Sequence, residues 1–238
     1  MHHTFWKGFV TMNQVNEEKQ RVGEAAAAYI EDGMMVGLGT GSTVYYTILK
    51  LAQRIDEEGM TIQTVSTSNK TTEIAQAHGI TVLDFNGVES VDLTIDGCDE
   101  FDSHLRGIKG GGGALLCEKI VASASKRNIW VADSSKAVEH LGKFPLPIEV
   151  LPFGHTYVFQ RLKSKGMEAV IRKNADGTTY HTDSGNLIFD LYMQKIDDPA
   201  ALSLWLNMIP GVVENGLFID IVDKVIFIKD NAIQEVQR

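Results

Sequence analysis

Several things are scarce in this sequence, and each shortage closes off a class of function. Cys98 and Cys117 are the only cysteines in 238 residues. Two thiols argue against a disulfide framework and for a reducing, cytoplasmic setting. No apolar run reaches the roughly 18 residues of a membrane span, and no signal-peptide pattern is present. Positive charge is in deficit. A formal net charge of -9 argues against a nucleic-acid footprint and against an anionic membrane surface. It leaves a phosphate ligand open, because local lysines decide that. The seven histidines are scattered, with no HExxH and no CxxC, so no metal site is expected. Internal repeats and low-complexity segments are lacking too.

What is present suffices for a real core. Hydrophobic residues make up 44% of the chain, enough for one large domain or two smaller ones. Residues 1–11 are set apart from the fold. His2-His3 reads as a tag remnant or an unusual extension, and Met12 as a second plausible start. Glu17 to Ile30 predicts a helix, with Val22, Ala26 and Ile30 on one stripe. Met34 to Leu38 is a short apolar strand running into Gly39-Thr40-Gly41-Ser42-Thr43. A helix follows from Val44, with Ser42 or Thr43 as its cap. Backbone N–H groups and hydroxyls at such a helix start suit a phosphate. GLGTGS is not the dinucleotide fingerprint, because Ser42 stands at its sixth position, and it is not a P-loop, because no GK[ST] follows.

Further strands are expected at 61–65, 80–85, 93–95 and 128–132, with helices between them. That alternation predicts a mostly parallel sheet with right-handed connections. Ligands on such sheets bind beyond the carboxyl ends of the strands. Four polar motifs, GTGST, STSN, DGCDE and ADSSK, fall at those ends. Together they describe a crevice with hydroxyls, carboxylates and lysines.

The densest stretch is Val91 to Lys119. Asp96, Asp99 and Glu100 sit at the end of a buried strand. Lys109 follows, then Gly110 to Gly113, then a helix from Ala114 carrying Glu118. A carboxylate held partly desolvated has its pKa raised toward the range useful for proton transfer. A lysine nearby supplies positive charge for an oxyanion. Four glycines let the backbone come close to a ligand.

Pro145 and Pro147 mark a boundary. Beyond them the order β-α-β-β-α-β over 146–218 is the ferredoxin-like plan. Its hairpin turn falls at Asn174-Ala175-Asp176-Gly177, and Val212 to Phe218 forms its last strand. Asp220 to Lys229 reads as a final strand returned to the first unit. The expected architecture is therefore α/β. A Rossmann-like, mostly parallel catalytic domain spans 12–145 plus 219–238, and a smaller ferredoxin-like α+β domain spans 146–218.

GLGTGST (37–43), TIDGCDE (94–100), IKGGGGALLCEK (108–119), ADSSK (132–136) and LGKFPLPIEV (141–150) resemble type A ribose-5-phosphate isomerase. IPGVVENGLF (209–218) matches more weakly. The motifs come in order, with 13 residues from Asp96 to Lys109 and nine from Lys109 to Glu118, as that pattern requires. The resemblance implies an aldose-ketose isomerase of the non-oxidative pentose phosphate branch. It would interconvert ribose 5-phosphate and ribulose 5-phosphate without metal or organic cofactor. It further implies Glu118 as the base that moves a proton between C2 and C1. Asp96 would act in ring opening or proton exchange, Asp99 in orienting hydroxyls, and Lys109 on the developing oxyanion. Thr40, Gly41, Ser42, Thr43, Gly97, Cys98, Gly110, Gly111, Gly112 and Lys136 are implied in substrate binding, and Lys19 near the phosphate. A homodimer or homotetramer is implied as well. The sequence departs from the pattern at Cys98 and Gly113, where Ala is usual. Cys98 and Cys117 read as small buried residues, and Gly113 as a looser loop. An amino-sugar deaminase would want a histidine in these motifs, and His104 is the nearest. A sugar-phosphate sensor of a DNA-binding regulator would want a basic recognition helix, which is missing from residues 1–30.

Overall fold

The computed structural model describes residues 12–238. The segment 1–11, with His2-His3, lies outside the described residues. Helix α1 (Met12–Ala27) starts earlier and ends sooner than expected. Ile30 lies in a tight turn whose amides reach back three residues, yet it stays buried with Val22 and Ala26. Next come β1 (Met35–Leu38), α2 (Ser42–Glu58), β2 (Gln63–Ser66), α3 (Asn69–Ala77) and β3 (Leu93–Gly97). Gly23 lets α1 lie against α2: an added Cβ would sit 2.7 Å from the Thr43 carbonyl. Thr47 Oγ1 donates to the Gly23 carbonyl across the same contact.

The chain continues through β4 (Glu100–Phe101), β5 (Gly107–Ile108), α4 (Leu115–Ser123), β6 (Asn128–Ala132) and β7 (Leu146–Val150). Then follow α5 (His155–Ser164), β8 (Glu168–Ile171), β9 (Leu187–Tyr192), α6 (Pro199–Asn207) and β10 (Val212–Asn215). Strands β11 (Leu217–Phe218), β12 (Lys224–Lys229) and β13 (Ala232–Gln237) close the chain.

Six strands form the main sheet in the order β13-β12-β6-β3-β1-β2. All its pairs are parallel except β12 with β13. The chain leaves β1 toward β2 on one side and returns to β3 on the other. The crevice therefore opens between β1 and β3, where the strand order reverses. Four strands form an antiparallel sheet in the order β10-β7-β9-β8, the arrangement of a ferredoxin-like unit. It shares one core with α5 and α6 through Ile148, Phe189, Val158, Leu162 and Leu206.

Four local expectations change. The run 80–85 makes a single bridge, Thr64 to Val82, because the Asp84 carboxylate accepts from the Asn86 amide and starts a short turn. The run 178–181 also makes only isolated bridges. The strand expected over 212–218 divides at Gly216, with β10 in the four-stranded sheet and β11 paired to β5. Finally, β13 follows a two-residue hairpin at Asp230-Asn231, whose φ values are 50° and 57°. Asp and Asn tolerate that left-handed region better than other non-glycine residues.

Candidate active site

Asp96, at the end of β3, is 3% exposed. It fits there because residue 39 is glycine: an added Cβ would lie 2.1 Å from Asp96 Oδ1. Oδ1 accepts the Thr40 amide at 3.0 Å and the Gly97 amide at 2.7 Å. Oδ2 faces Lys109 Nζ at 3.0 Å. Lys109 follows β5, and its amide donates to the Gly216 carbonyl at 2.9 Å. That carbonyl belongs to the glycine that divides β10 from β11, where an added Cβ would lie 2.3 Å from the Lys109 carbonyl. The split of the expected strand therefore seats the lysine. Lys109 Nζ also donates to the Gly97 carbonyl at 2.5 Å and lies 3.3 Å from Glu118 Oε1.

Glu118 sits in the first turn of α4. Its other oxygen, Oε2, is buried with no hydrogen-bond partner among the described residues. Two carboxylates and one ammonium are thus packed together out of water. Burial pushes the Glu118 carboxyl up to about 8; Lys109 opposes this, while Asp96 and Asp99 add to it. Burial likewise raises Asp96, against the pull of Lys109. For Lys109, burial works against the charge, but Asp96 and Glu118 outweigh it and its pKa is raised. The cluster can therefore hold a mobile proton on a carboxylate beside a fixed cation.

A cavity of about 140 Å³ opens beside this cluster. Thr40, Gly41, Ser42, Thr43, Gly97, Cys98, Asp99, Lys109, Gly110, Gly111, Gly112, Glu118 and Lys136 all line it, and so does Lys19. The sequence-derived set is thus brought together, with Asp96 paired to Lys109 beside it. Asp99 Oδ2 accepts the Gly111 amide at 2.7 Å. Glu100 turns away, its carboxylate taking the Gly142 and Phe144 amides. The STSN motif acts through Thr40, whose hydroxyl meets Thr67 Oγ1 and Ser68 Oγ, each at 2.8 Å. Glu18 anchors α1 by accepting the Ser134 amide and hydroxyl, which sets its neighbour Lys19 beside the ADSSK turn.

Some expectations need correcting. Helix α2 begins at Ser42 with Gly41 before it, and no side chain caps it. Neither Ser42 nor Thr43 plays that part, so the first-turn N–H groups keep their capacity for an anion. Gly113 is not a loosened position: its φ is +81°, and an added Cβ would lie 2.1 Å from the Tyr180 hydroxyl. Asp133 lines the cavity as well, and its place in the ADSSK motif at the end of β6 signalled it, though no role was given to it. Cys98 is buried as expected, whereas Cys117 is only partly buried; burial raises both thiols, which disfavours a nucleophilic role for either.

A parallel sheet with buried acid-base groups and lysines at its switch point defines an enzyme of the α/β class. The comparisons narrow that class. The model of the ribose 5-phosphate isomerase A (phosphoriboisomerase A) family matches residues 63–232. A curated relative from Lacticaseibacillus paracasei, ribose-5-phosphate isomerase A, is 49% identical over 211 residues, 89% of this chain and 92% of its own. The solved ribose 5-phosphate isomerase A of Methanocaldococcus jannaschii has a TM-score of 0.89 at 39% identity, over 93% of this chain and 99% of that one. A D-ribose-5-phosphate isomerase solved with phospho-erythronic acid has a TM-score of 0.91 at 36% identity, over 94% and 99%. The chain belongs to the ribose 5-phosphate isomerase A family.

Proposed function

We propose that this protein interconverts D-ribose 5-phosphate and D-ribulose 5-phosphate in the non-oxidative pentose phosphate branch. One observation carries the mechanism: Glu118 is buried, held at Oε1 by Lys109, and has Oε2 without a partner among the described residues. In the open-chain aldose, ionised Glu118 takes the proton from C2. The electron pair moves onto the C1 carbonyl oxygen and forms an enediolate. Lys109 stabilises the charge on that oxygen, which is worth most in a site closed to water. Glu118 then returns the proton to C1, while the O2 hydroxyl proton passes to O1 and leaves the C2 ketone. Asp96 serves ring opening or that exchange between oxygens. Asp99, fixed by the Gly111 amide, orients the sugar hydroxyls. Lys19, Lys136 and the uncapped start of α2 receive the phosphate. A structural neighbour holding a phosphorylated sugar acid supports such a ligand.

The same reading includes metal-free catalysis, a cytoplasmic location and a homodimer or homotetramer. It also divides the chain into 12–145 plus 219–238 and 146–218. No helix among the described residues is long and apolar enough to cross a membrane. The deciding experiment is conversion of ribose 5-phosphate by purified protein, with and without EDTA. Equal activity in both is expected. Loss in EDTA would mean a metal requirement, and no turnover despite sugar-phosphate binding would sink the isomerase reading. Light scattering on the eluting protein reads the assembly.

A further inference from the structure

Gly110, Gly111 and Gly112 line the cavity, and besides the turn bond from the Gly113 amide to the Gly110 carbonyl at 2.9 Å, their carbonyls are held by side chains from the end of β8 and from the β8–β9 connection. Arg172 follows β8. Its guanidinium is fixed by Asp190 on β9, with Nε to Oδ2 at 2.9 Å and Nη2 to Oδ1 at 2.5 Å. The remaining Nη1 donates to the Gly110 carbonyl at 2.8 Å and to the Gly111 carbonyl at 3.1 Å. Tyr180, whose ring centre lies 5.8 Å from the guanidinium, donates its hydroxyl to the Gly112 carbonyl at 3.3 Å. Three successive loop carbonyls are thereby held from one side.

A trans peptide is planar, so each C=O points opposite to the following N–H. With the Gly110 carbonyl turned to Arg172, the Gly111 N–H points away from it and meets Asp99 Oδ2. With the Gly111 carbonyl turned the same way, the Gly112 N–H also points away from Arg172, and Gly112 lines the cavity. We propose that Arg172, braced by Asp190, is a positioning residue for the isomerase site. It orients the Gly111 N–H onto Asp99 and presents the Gly112 N–H to substrate oxygen. This rests on the reading given above. The Gly113–Gly110 turn bond closes the loop, but four glycines in sequence carry no side chains of their own that would fix the Gly111 and Gly112 donors. The planar fork of arginine holds Asp190 and two carbonyls at once, and a lysine ammonium lacks that geometry.

The test compares wild type with Arg172→Lys and Arg172→Gln. It reads kcat and KM for ribose 5-phosphate, amide hydrogen exchange of residues 109–115, and the thermal melt. Donors misplaced by loop motion cost rate. We expect kcat to fall about tenfold in Arg172→Lys and further in Arg172→Gln, with KM changed less than about threefold and loop exchange faster. Unchanged kcat in the variants overturns the proposal, even if exchange quickens, because Arg172 would then only stabilise. A fall in kcat without faster loop exchange also overturns it. If Arg172→Gln does not fold, Arg172→Lys decides alone. Absent wild-type turnover sinks the isomerase reading, and unchanged exchange in the variants then still sinks the clamp.

Discussion

Two glutamates of this protein are almost equally hidden from water, Glu149 at 1% exposure and Glu118 at 3%, but they are held in opposite ways. Glu149 lies on β7. Its Oε1 accepts the Thr182 hydroxyl and the Asn186 side-chain amide, both at 2.9 Å, and the Leu116 backbone amide also favours its charged form. All three partners are neutral and fixed. Glu118, two residues beyond Leu116, faces a lysine and has one oxygen unpaired among the described residues. Burial raises both carboxyls. Burial alone therefore does not mark a catalytic acid. Neutral donors that fill a carboxylate make it a strut, whereas a cation plus an idle oxygen leaves a proton acceptor with somewhere to reach.

Removing the acceptor tests that contrast most severely. Glu118→Gln keeps the shape but cannot take a proton. We expect turnover to fall by about 10³-fold, within the range for a lost general base, while titration calorimetry still detects ribose 5-phosphate binding. Near wild-type turnover in this variant would remove Glu118 as the base.

The pH dependence sharpens the same contrast. Glu118 must be ionised to act, and its carboxyl sits at about 8. The kcat/KM of the free enzyme should therefore rise with pH and level off above that value. Stability runs the other way. The ordinary value is 4.5. Between there and about 8 the unfolded chain has lost a proton that the folded chain retains. Its contribution to stability is thus full below the ordinary value and lost as pH rises through the folded one. The melting temperature should decline from pH 6 to pH 9, and decline less in Glu118→Gln. A flat kcat/KM profile between pH 6 and 9 would contradict the raised carboxyl.

Lys136 is expected to matter less, and differently. It lines the cavity, and its backbone is held by Asp133 and Phe101. A phosphate contact is made alike in ground and transition states. Lys136→Ala should therefore raise KM about tenfold and change kcat less than about threefold in steady-state rates. A fall in kcat alone would place Lys136 with the chemistry.

Much of the site could be read from the chain, for a physical reason. Alternating strands and helices put every β-α turn on one edge, so GTGST, STSN, DGCDE and ADSSK had to meet. The roles of Lys109, Asp96 and Glu118 were implied by resemblance, but their mutual contact was not, because it depends on β5 pairing with β11, a contact between distant parts of the chain. The hold of Arg172 and Tyr180 on the glycine loop lay beyond reach for the same reason, since 61 residues separate Arg172 from Gly111. Contacts between segments so far apart in the chain leave no periodic trace in either. Local geometry hid the rest: the uncapped start of α2 depends on a φ of 135° at Gly41, and β13 on two left-handed residues.

The mildest perturbation asks whether Glu149 is only a strut. In Glu149→Gln one carboxylate oxygen becomes an NH₂ group. The amide oxygen can still accept from Thr182 and Asn186, but a neutral side chain with one acceptor oxygen loses the attraction of the Leu116 amide for the carboxylate. That attraction is worth about 1 kcal/mol. Removing a buried charge returns part of that, because burial raises the Glu149 carboxyl and makes its ionised form unfavourable. The melting temperature should fall by no more than about 2–4 °C at neutral pH, and kcat should stay within about twofold of wild type, because proton transfer needs no group at this position. A loss of turnover approaching that of Glu118→Gln, at unchanged melting temperature, would break the division between the two glutamates. It would mean that the Leu116 contact aims the first turn of α4, and so makes Glu149 part of what positions the base.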